Sequence, residues 1–140
     1  MTTFLDTSVL VAGLIDFGPQ SAPAQSVMHA VSDHRVDAPA TAWHCCLEFF
    51  SVSTRLPPEF RLGPADAARL LDEEVFARMA VHDLPAADRQ PMLRAIVKDG
   101  VIGGRIYDAH IGEIARSANA DVDVWRLTIV TVTWDGYCFE

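Results

Sequence analysis

Three carboxylates stand in apolar surroundings: Asp6 in FLDTSVLVA, Glu48 in LEFFSV and Asp108 in GGRIYDAHIGEIA. A carboxylate among aliphatic side chains costs free energy unless it finds a partner. For Asp6 and Asp108 that partner can be the first turn of a helix, and for Glu48 an arginine. Taken together, the three acids also have the chemistry of a site for a hard divalent cation. Such an ion prefers oxygen ligands and takes as few as one or two direct carboxylates while keeping several waters. It can orient and deprotonate a water for attack on a phosphodiester. Glu48 lies between Leu47 and Phe49, so it is expected to be enclosed.

The elements that must position these acids follow from the residue pattern. Thr2 to Leu5 reads as a short buried strand and Thr7 to Leu14 as the helix after it. Gly18, Pro19 and Pro23 mark a loop, Ala24 to Ser32 fits a helix, and Val36 to Ala38 fits a second strand closed by Pro39. Ala40 to Thr54 contains neither Gly nor Pro and is apolar nearly all round the helical wheel. That pattern predicts a buried helix whose aromatic residues Trp43, Phe49 and Phe50 belong to the core. Pro57-Pro58 ends it, and Pro64 opens a further helix to about Phe76. Met79 to Leu84 is a third strand, Pro91 sits in the first turn of a helix ending before Gly100, and Ile106 to Ser117 is another helix. Val122 to Trp125 and Thr128 to Thr133 are strand-like. Strands alternating with helices predict an α/β fold, a three-layer sandwich with a mainly parallel central sheet. In such sheets the ligand crevice lies beyond the carboxyl ends of the strands, and Asp6 follows its strand immediately.

The chain has 140 residues, half of them hydrophobic, which suits one domain over residues 1–140 with a proper core. A net charge of −8 argues against a large surface that binds nucleic acid by charge alone. No run reaches the roughly 18 apolar residues of a membrane span, and the N-terminus lacks the basic start of a signal peptide. A cytoplasmic protein with no membrane partner is expected. Cys45, Cys46 and Cys138 lack zinc-site spacing and read as three reduced thiols.

The motifs around Asp6, Glu48 and Asp108 resemble, in order and spacing from Thr3 to about Val122, the three acidic motifs of PIN-domain ribonucleases. The resemblance is strongest to VapC-type toxins of bacterial toxin–antitoxin pairs. It implies a compact PIN-like α/β sandwich and cleavage of RNA with Mg²⁺ or Mn²⁺ held by Asp6, Asp108 and Glu48. It further implies inhibition by a cognate antitoxin, and commonly a homodimer. A fourth acid in similar toxins follows the last core strand in a T-x-D or T-x-N stretch. Asp135 in Thr133-Trp134-Asp135 has that form but stands later than the resemblance places it, whereas Asp121 and Asp123 come too early. With Asp135 in the cleft, the catalytic set is Asp6, Glu48, Asp108 and Asp135.

Cations in an acidic cleft would answer the charge objection in part, with Arg55, Arg61, Arg105 or Arg116 holding flanking phosphates. Thr7 and Ser8 can orient a carboxylate or serve as an ordinary helix cap. His44, four residues before Glu48, shares its helical face and permits a metal pair, though Mg²⁺-type sites seldom use imidazole. His110 reads as a bystander or rim residue. A receiver-like module would want an acid pair near Asp6 and a late-strand lysine, but the only lysine is Lys98. A haloacid-dehalogenase-like phosphatase needs a second Asp where Ser8 stands. A catalytically degenerate PIN-fold binding module and a stand-alone RNA-processing nuclease remain as alternatives.

Overall fold

The computed structural model describes residues 2–118 and the backbone of 128–130. Four strands, β1 (Thr3–Leu5), β2 (Pro39–Ala42), β3 (Ala80–His82) and β4 (Thr128–Val130), form one sheet in the order β3-β2-β1-β4. Every pairing is parallel, with Phe4 opposite both Ala40 and Ile129, and Thr41 opposite Val81. The helices are α1 (Thr7–Leu14), α2 (Ala22–Ser32), α3 (Trp43–Ser53), α4 (Pro64–Leu70), α5 (Ala86–Lys98) and α6 (Arg105–Ala118). A π-helical turn over Leu71–Phe76 continues α4.

The first two crossovers step in one direction across the sheet, and the third returns from β3 to β4. With the usual right-handed connection, α1 to α4 cover one face and α5 and α6 the other. The packing agrees: α1 lies on α2 and α3, while α6 packs on β2, β3 and α5. This is the expected three-layer α/β sandwich of PIN type. Its core comprises Phe4 and Leu5 of β1, Val9 and Leu10 of α1, Phe49 of α3 and Ile114 of α6, all fully buried. Gly13 lets α1 approach α2, because a Cβ there would run into Met28 Cγ and come within 3.0 Å of the Ala24 carbonyl oxygen. No helix among the described residues is long and apolar enough to cross a membrane.

Three elements depart from expectation. The second strand begins at Pro39 rather than ending there, and Val36 to Ala38 is not strand. Ala38 has φ +39°, which no extended strand allows, whereas proline is tolerated as the first residue of a strand. The strand residues Ala40, Thr41 and Ala42 are buried between β1 and β3, so pairing on both sides overrides their modest β propensity. The following helix is therefore shorter than the expected span of 40–54, and it is not enclosed all round. Cys45, Cys46, Phe49 and Val52 face inward, but Trp43, Leu47 and Phe50 are 44%, 51% and 38% exposed. Further along, α5 starts at Ala86, leaving Pro91 inside the helix rather than in its first turn.

Candidate active site

The carboxyl end of β1 is tied to β2 by Thr41 Oγ1, which donates to the Leu5 carbonyl oxygen at 2.7 Å. Asp6 comes next, in extended conformation, and is the N-cap of α1. Its Oδ1 accepts from Val9 N at 3.3 Å and from Ser8 Oγ at 2.6 Å. Asp6 is thus a helix cap and a cleft residue at once, and Ser8 orients its carboxylate. Burial pushes the Asp6 carboxyl above its ordinary range. The hydrogen bonds from Ser8 and Val9 oppose that shift, and the charge of Asp108 adds to it.

Glu48 projects from α3 and is half-buried, with both oxygens engaged. Thr7 Oγ1 donates to Oε2 at 2.5 Å, and His44 Nε2 lies 2.8 Å from Oε1. The first bond fastens α1 to α3 across 41 positions of sequence. The second uses the i, i+4 spacing on α3. His44 in turn lies parallel to Tyr107 of α6, with centroids 5.6 Å apart and planes 8° from each other, and meets the His110 ring edge-on at 5.4 Å. An aromatic contact therefore links the helix that carries Glu48 to the helix that carries Asp108.

Asp108 sits in the first turn of α6, exposed, where a negative charge suits the helix dipole. Among the described residues its carboxylate makes no hydrogen bond or ion pair, and its charge contributes to raising the Asp6 carboxyl. Asp6, Glu48 and Asp108, from three separate elements, line a single cleft of about 530 Å³ beside the carboxyl end of β1. Thr7, Ser8, Ser51, Arg55 and Tyr107 complete its polar lining. Of the four arginines considered from sequence, only Arg55 reaches this cleft. Arg61 instead donates to the Leu56 carbonyl oxygen, and Arg116 pairs with Glu113. Asp135, with Asp121, Asp123 and Cys138, lies outside the described residues. Cys45 and Cys46 are free thiols, and burial pushes the Cys46 thiol up to about 11.

The donor set suits a hard cation in a restricted way. Among the described residues, no three His, Cys, Asp or Glu side chains converge closely enough to hold one ion. Asp6 and Asp108 nevertheless line the same cleft, and the charge of Asp108 raises the Asp6 carboxyl, a repulsion that an ion between them would relieve. Mg²⁺ needs no more than that, since it keeps several waters. Glu48 has both oxygens already engaged, by Thr7 and by His44.

The sequence pointed to the acids and to Thr7, Ser8 and His44 beside them, but not to which acid each supports. It offered an arginine as the partner of Glu48, whereas the partners are Thr7 and His44. Tyr107 had no signal beyond an aromatic one residue before an acid. His110, read as a bystander, touches the His44 ring.

No family model matches the chain. Among curated proteins it is similar to a ribonuclease named VapC27 from Mycobacterium tuberculosis, 32% identical over 102 residues, or 66% of this chain and 72% of the relative. Ribonuclease VapC40 of the same organism is 30% identical over 116 residues, covering 82% of this chain and 79% of the relative. These matches extend over most of both partners, on a parallel α/β sheet with acids gathered at its carboxyl edge. The chain accordingly belongs to the family of VapC ribonucleases.

Proposed function

We propose that this chain is a metal-dependent endoribonuclease toxin, one nuclease domain that cuts RNA in the cytoplasm and is silenced by a cognate antitoxin. The observation that carries the reading is the pair Asp6 and Asp108, from β1–α1 and from α6, meeting across one cleft with Glu48 clamped beside them. Asp6 and Asp108 would hold Mg²⁺ or Mn²⁺, Glu48 would hold water in its shell, and Asp135 would join them as a fourth acid. The bound cation would supply Lewis acidity, lowering the pKa of a water and neutralising charge on the phosphodiester.

The chain's own residues supply position. Ser8 and the α1 backbone aim the Asp6 carboxylate. Thr7 and His44 hold Glu48 so that its remaining lone pairs can accept a proton from water lying in the cleft. Arg55, at the rim, pairs with a phosphate flanking the cut. An antitoxin segment offering an arginine to the same carboxylates would block the cleft. The homodimer implied by the resemblance would find apolar surface on the exposed row Trp43, Leu47 and Phe50.

The deciding experiment incubates purified protein with labelled single-stranded RNA in Mg²⁺, Mn²⁺ or EDTA. Cleavage with either metal, abolished by EDTA and by added antitoxin, is expected. RNA left intact under every metal condition would refute the reading, and undiminished cutting in EDTA would remove the metal from it.

A further inference from the structure

Beside the acidic cleft lies a second cavity of about 390 Å³, between β3, α5 and α6. Leu84 and Met92 are buried in its lining, and Ile106 with the exposed side chains of Leu93 and Tyr107 completes its apolar wall. Asp83 and Arg89 supply its charged groups, and the His110 ring lines it beside them. Tyr107 lines both this cavity and the acidic cleft, so the two are contiguous through one side chain.

From this juxtaposition we infer that the second cavity binds a nucleobase of the RNA strand whose phosphodiester lies in the acidic cleft. The inference rests on the ribonuclease reading above. An apolar slot with a few polar groups is the usual form of a small-molecule site. Single-stranded RNA is recognised by splaying a base onto an aromatic ring and reading its edge with hydrogen bonds. Tyr107 meets the first requirement. It is 55% exposed, yet its ring is already stacked on His44, so little motion is lost when a base packs against it.

Asp83 and Arg89 meet the second requirement. Asp83 Oδ1 accepts from Leu84 N at 2.8 Å, which fixes the carboxylate as an acceptor for base N–H groups. The Arg89 guanidinium has no ion-pair partner among the described residues and can donate to base oxygens and ring nitrogens. Donor and acceptor on one apolar slot fit the mixed edge of a base better than they fit a phosphate, which Asp83 would repel. They also fit it better than an aliphatic side chain, which would leave both charges unanswered.

Two measurements test the inference separately from the nuclease reading. In the first, guanosine, adenosine, cytidine and uridine are added at millimolar concentration without metal, and amide NMR shifts are followed. Being uncharged, these probes are not repelled by the acidic cleft. Shifts confined to Leu84, Leu93, Tyr107 and their neighbours, lost in Leu93→Arg, are expected. Absent or scattered shifts overturn the inference.

In the second, a random-sequence RNA pool is cut and the ends are sequenced. Wild type should show a base preference at one position flanking the cut. Leu93→Arg and Arg89→Ala should flatten it and lower kcat/KM about tenfold, while Val97→Arg, elsewhere on α5, should change neither. Cutting with the preference untouched by both pocket variants overturns the base site and leaves the nuclease standing. A wild type that cuts no RNA refutes the nuclease, and the nucleoside shifts still decide what the cavity takes. Burial of the cavity by an antitoxin, without any nucleoside response, would assign it to protein docking and overturn the inference.

Discussion

Glu48 and Asp108 share a cleft but are held in opposite ways. Glu48 has one oxygen against Thr7 and the other against His44, and the imidazole is itself stacked on Tyr107. Asp108 has no hydrogen bond or ion pair among the described residues and repels Asp6. Side chains of the same chemistry are therefore prepared for different work. The first is immobilised, its charge shared among donors. The second is left exposed with no hydrogen-bond or ion-pair partner among the described residues, which suits a ligand that arrives from solution.

The largest expected effect breaks the comparison at its exposed side. Asp108→Asn should lower kcat/KM for RNA by about 10³-fold, since several kcal/mol of charge stabilisation are lost at about 1.4 kcal/mol per decade. It should leave the far-ultraviolet circular dichroism unchanged, because no described hydrogen bond depends on it. Should Glu48→Gln prove the more damaging of the two in the same assay, the assignment of roles would have to be reversed.

Metal sharpens the contrast. An ion bound by the folded state alone, at a hundredfold excess over its Kd, adds about 2.7 kcal/mol of stability, so Mg²⁺ or Mn²⁺ should raise Tm clearly in wild type. The rise should be small in Asp6→Asn and Asp108→Asn and mostly kept in Glu48→Gln. Equal rises in all four proteins, read by calorimetry, would place the ion elsewhere.

On the immobilised side the losses should be milder. Glu48→Gln should cost about 10–100-fold in activity, the usual range for a group acting on a metal through its surroundings. Thr7→Val and His44→Ala should each cost about tenfold or less, because each leaves the other clamp in place. A full loss in either single variant would show that the two clamps act as one unit.

The smallest effect concerns Asp6 without metal. Its carboxyl titrates above the ordinary value of 3.8 in the fold, chiefly through burial. The folded protein therefore holds that proton more tightly than the unfolded chain does. The stability this contributes is full below 3.8 and is lost as pH rises through the raised folded value. Asp6→Asn should remove that decline and melt modestly higher than wild type in EDTA at pH 7, since asparagine caps a helix as well as aspartate does. Asp6→Ala, which loses the cap, should melt lower. Melting curves in EDTA from pH 4 to 7 check both signs.

These contrasts also show what the sequence could carry. The ends of α1 were legible because Asp6 caps it locally and the apolar run stops at Ile15, both properties of neighbouring residues. The second strand was not, since Val36 advertises β structure more strongly than Ala40 or Ala42 does. Only pairing with β1 and β3, far away in sequence, settles the matter. The three acids stood out against apolar neighbours, and Thr7, Ser8 and His44 stood out beside them, but the pairing of Thr7 with Glu48 did not. The bond from Thr7 to Glu48 depends on how two helices meet. The exposed row on α3 escaped for a similar reason, because a wheel that is apolar all round does not say which side faces the sheet.

The double duty of Asp6 bears on how such a protein can change over generations. Aspartate and asparagine codons differ by a single base, and the N-cap tolerates either side chain. One point mutation would therefore silence the nuclease while keeping α1, the sheet and every outer surface intact. Under the proposed reading, a lineage under pressure from such a nuclease would have this escape within one step, and the product would be a folded protein rather than a misfolded one.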